Sequence, residues 1–165
     1  MDKFCADIHN NLSITLTSAG IKIAHCCWDK RMLTPTTENY WTDSRLQASR
    51  NLNRLNQLPQ ANCQQCIYME NSGGSSRRTG TNTYYNETLG VDATTPPVTG
   101  PRGLEIKIDY TCNIACVYCG PYNSTQWRLE LGTDKKTFPI RSKQDDIIAM
   151  LDNLDLSNLD NLHFY

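Results

Sequence analysis

Eight of the 165 residues are cysteine, and their positions divide them into two groups. Cys5, Cys26, Cys27, Cys63 and Cys66 fall in the first 66 residues, while Cys112, Cys116 and Cys119 stand together after a cysteine-free gap. In a secreted mini-protein such enrichment means disulfides, whereas in a reducing compartment it points to metal or redox sites. The start Met1-Asp2-Lys3 is unlike a secretory signal, so a cytoplasmic chain with two separate thiol sites is expected. The second group has C-x3-C-x2-C spacing. Three thiolates are one short of a closed zinc site, and a cubane iron–sulfur cluster suits them better, because one iron then keeps an open position for a small molecule. Zinc with a distant fourth ligand, or buried cysteines acting as small hydrophobes, are the alternatives. In the first group the C-x2-C pair Cys63/Cys66, with Cys5 and the Cys26-Cys27 doublet, offers five candidates for a four-ligand site that suits zinc or a second iron–sulfur cluster.

The elements that must position these thiols follow from hydrophobic spacing. Leu12, Ile14 and Leu16 alternate with Ser13 and Thr15, turn residues run from Thr17 to Gly20, and Ile21 and Ile23 resume the alternation. This pattern predicts a β-hairpin that carries Cys26 and Cys27 back towards Cys5. Leu46, Leu52 and Leu55 predict an amphipathic helix over about 43–58, closed by Pro59. Residues 71–101, rich in Gly, Ser, Thr, Asn and Pro, have the composition of a linker. The expected organisation is therefore a cysteine-rich domain over 1–70, a linker over 71–101 and a second unit over 102–165.

In that second unit Leu104, Ile106 and Ile108 alternate with Glu105, Lys107 and Asp109, predicting a strand that runs into the cysteine loop. Ser142-Lys143-Gln144-Asp145 has the form of a helix start, and Ile147, Ile148, Leu151 and Leu154 make its apolar stripe. Leu162-His163-Phe164-Tyr165 reads as another strand. Strand, helix and strand predict α/β architecture, α+β overall, with a parallel sheet or the start of a barrel. Glu105, Lys107 and Asp109 would face a polar lumen while Leu104, Ile106 and Ile108 pack on helices. A half-exposed antiparallel strand predicts the same alternation.

Composition excludes several roles. Sixteen basic against seventeen acidic residues leave a net charge of -1, with no excess to hold nucleic acid or an anionic membrane. No apolar run is long enough to span a bilayer. Of the remaining residues, His25 reads as solvent-facing on its strand, Arg77-Arg78 as a solvated pair, Trp127 and Leu129 as core contacts of a helix, and His163 as structural.

The motif Cys112, Cys116, Tyr118, Cys119 resembles the C-x3-C-x-aromatic-C signature of the radical S-adenosylmethionine (SAM) enzymes. The resemblance implies that the three cysteines bind a [4Fe-4S] cluster whose fourth iron takes SAM, with Tyr118 packing near the adenine. It implies reductive cleavage of SAM to a 5′-deoxyadenosyl radical that abstracts a substrate hydrogen, on a partial TIM barrel opening at residue 102. Cys5, Gly20, Cys26 or Cys27, and Cys63/Cys66 resemble in turn the auxiliary-cluster domains called SPASM and twitch, placed here before the core. An electron donor such as flavodoxin or ferredoxin, and a peptide or protein substrate, with sugars and small metabolites still open, are what the two resemblances imply. The family's Gly-Gly-Glu type motif would begin where the chain ends at Tyr165, so the expectation is a fragment that binds a cluster yet cleaves little SAM alone. Outside the family, a non-enzymatic zinc-binding interaction module is the alternative, and an electron carrier without SAM chemistry is a third.

Overall fold

The structure, a computed structural model, describes residues 2–17, 20–29, 31–107, 116–117, 120–121, 124–132 and 144–164. The chain is mixed α/β. A short helix α1 (Ala6–Asn10) leads into β1 (Asn11–Thr17), which pairs antiparallel with β2 (Gly20–Ala24) in the expected hairpin, Ile14 facing Ile23 and Leu16 facing Ile21. Gly20 has φ +100°, a backbone conformation that disfavours any side chain. Three helices follow: α2 (Ser44–Arg54), α3 (Gln60–Asn71) and α4 (Arg77–Thr83), the last continued by one π turn over Tyr84–Thr88. The chain then enters β3 (Gly103–Lys107), followed by α5 (Thr125–Glu130), α6 (Gln144–Asp152) and β4 (Asn161–Phe164).

The four strands form one sheet in the order β2-β1-β3-β4, with β1, β3 and β4 mutually parallel. The hairpin thus shares a sheet with the strand that leads towards the second cysteine group, across the stretch expected as a linker. That stretch itself holds α4. Its start is fixed by a reciprocal cap in which Ser76 Oγ accepts from the Thr79 N–H and the Thr79 hydroxyl accepts from the Ser76 N–H. A Thr at the third helical position, in place of the usual Glu or Gln, hides this signal in a polar sequence. Pro59 likewise does not close α2, which ends at Arg54; it stands directly before α3. No apolar stripe marks α3, whose Gln, Ala, Met and Glu residues are good helix formers.

Alternation assigns the two sheet faces. Leu12, Ile14, Leu104 and Ile106 are buried on one face with Leu46 of α2, Trp41, Met150 of α6 and Leu154, forming the main core. Ser13, Thr15 and Glu105 are also buried, but on the opposite, polar face. The strand β3 is therefore covered on both sides and parallel to both neighbours, and Leu104 and Ile106 share a core with Leu46 of α2 and Met150 of α6. Its start is tight: a Cβ on Gly103 would lie 2.5 Å from Asn11 Oδ1 and 2.9 Å from the Tyr85 hydroxyl. The last strand β4 is an edge, with Leu162 and Phe164 exposed. No described helix is long and apolar enough to cross a membrane.

Candidate metal centre

The hairpin and α3 bring four of the five N-terminal cysteines to one place. Cys5, Cys26, Cys63 and Cys66 line a single cavity of about 20 Å³ beside α1. Cys63 and Cys66 stand three residues apart on α3, a spacing that puts both on one helical face. Cys5 immediately precedes α1 and Cys26 follows β2. Backbone hydrogen bonds to side chains hold both segments. Asn53 Oδ1 accepts from the Cys5 N–H at 3.0 Å and Asn82 Oδ1 from the Ala6 N–H at 2.8 Å, while Arg78 Nη1 donates to the Phe4 carbonyl at 2.8 Å. Asn11 Nδ2 donates to the His25 carbonyl at 2.8 Å, tying the end of β2 to the start of β1.

The doublet is divided by this geometry. Cys27 is exposed and does not line the cavity; its N–H donates to Glu105 Oε2 at 2.9 Å, and its sulfur accepts from Arg77 Nη1 at 3.2 Å. Cys26 is the member of the pair that faces the other three thiols.

Electrostatics follow from burial. Desolvation, reinforced by the carboxylate of Asp7, raises the Cys5 and Cys26 thiols well above their ordinary range. Burial and the neighbouring Cys66 push Cys63 up to about 12. Burial outweighs the opposing pull of Arg77 on Cys26 and of Arg78 and Arg31 on Cys63, so these thiols stay protonated, and a soft metal centre is what would make them thiolates. Among the described residues, no three His, Cys, Asp or Glu side chains converge as a site for a single ion. The thiols ring the cavity. A zinc ion would need four sulfurs each about 2.3 Å from one point. A cubane is wider still, and a cavity of about 20 Å³ has room for about one water, so the four soft thiols match the donor set of a cluster while the space between them does not hold one.

Two arginines at the cavity wall depart from the solvated pair expected. Arg77 Nε donates to Asp7 Oδ2 at 2.6 Å, and Arg77 also pairs with Glu105; Arg78 pairs with Glu70. The cause is α4, which turns both side chains inward from a sequence that reads as loop. Burial alone would lower the Arg77 guanidinium, but the carboxylates of Asp7 and Glu105 outweigh it and hold Arg77 above its ordinary value. Burial pushes Asp7 up to about 6 in spite of Arg77. His25 is a correction as well. It is 2% exposed and lines the cavity, because it lies one residue past β2 where the chain turns inward.

Of the second group only Cys116 lies within the described residues; Cys112, Cys119 and Tyr118 lie outside them. Cys116 is half-buried, and its carbonyl accepts from Trp127 Nε1 at 2.8 Å. Trp127 thus holds the cysteine segment, while Leu129 on the same short helix is exposed instead of a core contact. Asp109 also lies outside the described residues. Its partners in the predicted lumen set, Glu105 and Lys107, are on the polar face of β3, with His163 beside Glu105 on exposed β4. The residues that sequence reasoning missed are Asp7, Asn53 and Asn82, whose roles arise only from contacts across more than forty residues. Comparison of the chain with protein-family models, curated proteins and solved structures finds no match.

Proposed function

We propose that the chain is part of a cytoplasmic radical SAM enzyme with an auxiliary iron–sulfur site. The observation that carries this reading is the ring of Cys5, Cys26, Cys63 and Cys66 around one cavity, on the same sheet whose central strand β3 leads to the C-x3-C-x2-C segment. Residues at the carboxyl ends of parallel strands are where barrel enzymes keep their chemistry, and Cys112 follows β3 by a few residues. Cys112, Cys116 and Cys119 would hold the [4Fe-4S] cluster, which would supply the electron for reductive cleavage of SAM. The chain's own task is binding, orientation and exclusion of water. By the resemblance Tyr118 would pack near the adenine; Trp127 braces the Cys116 carbonyl, and Arg77 pairs with Glu105 on the polar face of β3. The electron comes from a flavodoxin or ferredoxin, and the substrate is a peptide or protein.

The test is anaerobic reconstitution with iron and sulfide, followed by dithionite reduction and EPR with and without SAM. The reading expects visible charge-transfer absorption and a cluster signal that SAM perturbs. A colourless chain holding only zinc would sink it in favour of an interaction module, and reducible clusters indifferent to SAM would make it an electron carrier.

A further inference from the structure

The lead into α1, the turn after α2 and the second half of α3 enclose another cavity, of about 540 Å³, which is within the size range of small-ligand sites. Asn53, 2% exposed, holds its rim: the Asn53 Nδ2 donates to the Lys3 carbonyl at 2.8 Å and to the Gln57 carbonyl at 3.0 Å. Asn56, in the left-handed region at φ 56°, follows the end of α2 and accepts the Lys3 N–H on its Oδ1 at 2.6 Å. Lys3 and Gln57 are thus pinned by their backbones. The Lys3 ammonium and the carboxamides of Gln57 and Asn71 nevertheless make no hydrogen bond or ion pair with any described residue. Leu58 and Ile67, both half-buried, supply an apolar wall. Charge decides what fits. The carboxylate at the cavity, Glu70, is taken up by Arg78 and Ser76, and Asp2 beside Lys3 accepts from the Phe4 N–H at 3.0 Å. Among the described residues of the cavity, Lys3 is the cation left without a counterion, and no free carboxylate remains to recognise an amine.

We propose that this cavity binds the carboxyl end of a peptide whose last side chain is apolar. Lys3 Nζ donates to the terminal carboxylate, and the carboxamides of Gln57 and Asn71, each a donor and an acceptor, pair with backbone amides. Leu58 and Ile67 pack on the last side chain. A phosphate monoester carries a charge of about −1.5 to −2, whereas one ammonium matches the single charge of a carboxylate. The pinned backbones of Lys3 and Gln57 leave little of the site to be ordered on binding. The inference does not depend on a cluster at either group of cysteines.

The experiment titrates the 15N-labelled full chain with acetyl-Gly-Ala-Leu, followed by amide NMR, against the same peptide ending in a carboxamide. The acid should shift the amide signals of Lys3, Gln57, Leu58, Ile67 and Asn71. It should also bind about tenfold more tightly than the carboxamide, the worth of one charge-assisted hydrogen bond. Lys3→Gln removes the ammonium and leaves the backbone bonds of residue 3 in place, so it should bring the acid down to the affinity of the carboxamide. Ile67→Ser should weaken both peptides alike. The spectrum of each variant reports its own fold, and Lys3→Gln, at an exposed side chain, carries the test even if Ile67→Ser unfolds. Shifts that are absent from these residues at millimolar peptide, equal binding of acid and carboxamide, or an affinity indifferent to Lys3→Gln would overturn the proposal. So would displacement of the peptide by inorganic phosphate at a lower concentration than the peptide itself requires, which would make the cavity a phosphate site.

Discussion

Cys112, Cys116 and Cys119 stand within eight residues of chain, whereas Cys5, Cys26, Cys63 and Cys66 come from the lead into α1, the end of a hairpin and one face of α3. The first set carries its spacing in local sequence. The second exists only when the sheet and helices have assembled. On the proposed reading, metal binding at the N-terminal site would be coupled to folding of the segments that carry its cysteines, while loss of the other site should leave that fold standing.

The largest contrast is all-or-none. Cys66→Ala or Cys63→Ala should remove about four irons and also lower the melting temperature, while Cys112→Ala should remove about four irons with little thermal effect. Equal thermal losses in the two kinds of variant would break the distinction between a site built by the fold and a site built by a loop.

Within the doublet the contrast sharpens. Cys26→Ala should abolish the N-terminal metal and Cys27→Ala should keep it, since only Cys26 lines the cavity. Iron content that survived Cys26→Ala and fell with Cys27→Ala would show that the chain closes on the other thiol.

Arg77 tests the joint between the two regions, because it bridges Asp7 before β1 and Glu105 on β3. Arg77→Met strands two buried carboxylates and should cost roughly 3–5 kcal/mol in denaturant unfolding. Arg102→Met, at the more open pair with Asp160, should cost at most about 1 kcal/mol. Similar costs for the two would deny Arg77 its bridging role.

A smaller effect is expected from His9, which is buried, stacked on Phe4 and bonded through Nε2 to Asn53 Oδ1 at 3.1 Å. Burial lowers it to about 4 from an ordinary 6.5. The folded state thus binds its proton later than the unfolded state, and stability present above pH 6.5 is lost as pH falls towards 4. Asp7, raised by burial, acts in the opposite sense over part of that range, so the comparison must be wild type against His9→Gln. Urea midpoints should converge between the two as pH falls from 6.5 to 4; a constant difference would contradict the assignment.

The hairpin, α2 and the parallel pairing of β3 with β4 are legible because each is encoded by local periodicity. Legibility failed at α3 and α4. Neither has an apolar stripe, since α3 gives its buried side to Cys66 and α4 gives its own to Arg78, a residue that reads as solvent-seeking until Glu70 is brought beside it. The inward turn of His25 and the choice of Cys26 over Cys27 depend on where the chain goes after β2. Alternation along the strand says nothing about that.

The central claim is that the chain carries two independent cluster sites, one on each set of cysteines. Iron and sulfide content of the anaerobically reconstituted chain tests it most directly. About eight irons are expected for the unaltered chain, and about four when either Cys5, Cys26, Cys63 and Cys66 or Cys112, Cys116 and Cys119 are all replaced by Ala. An unaltered chain that saturates at about four irons, all lost with one of the two sets, would contradict the account.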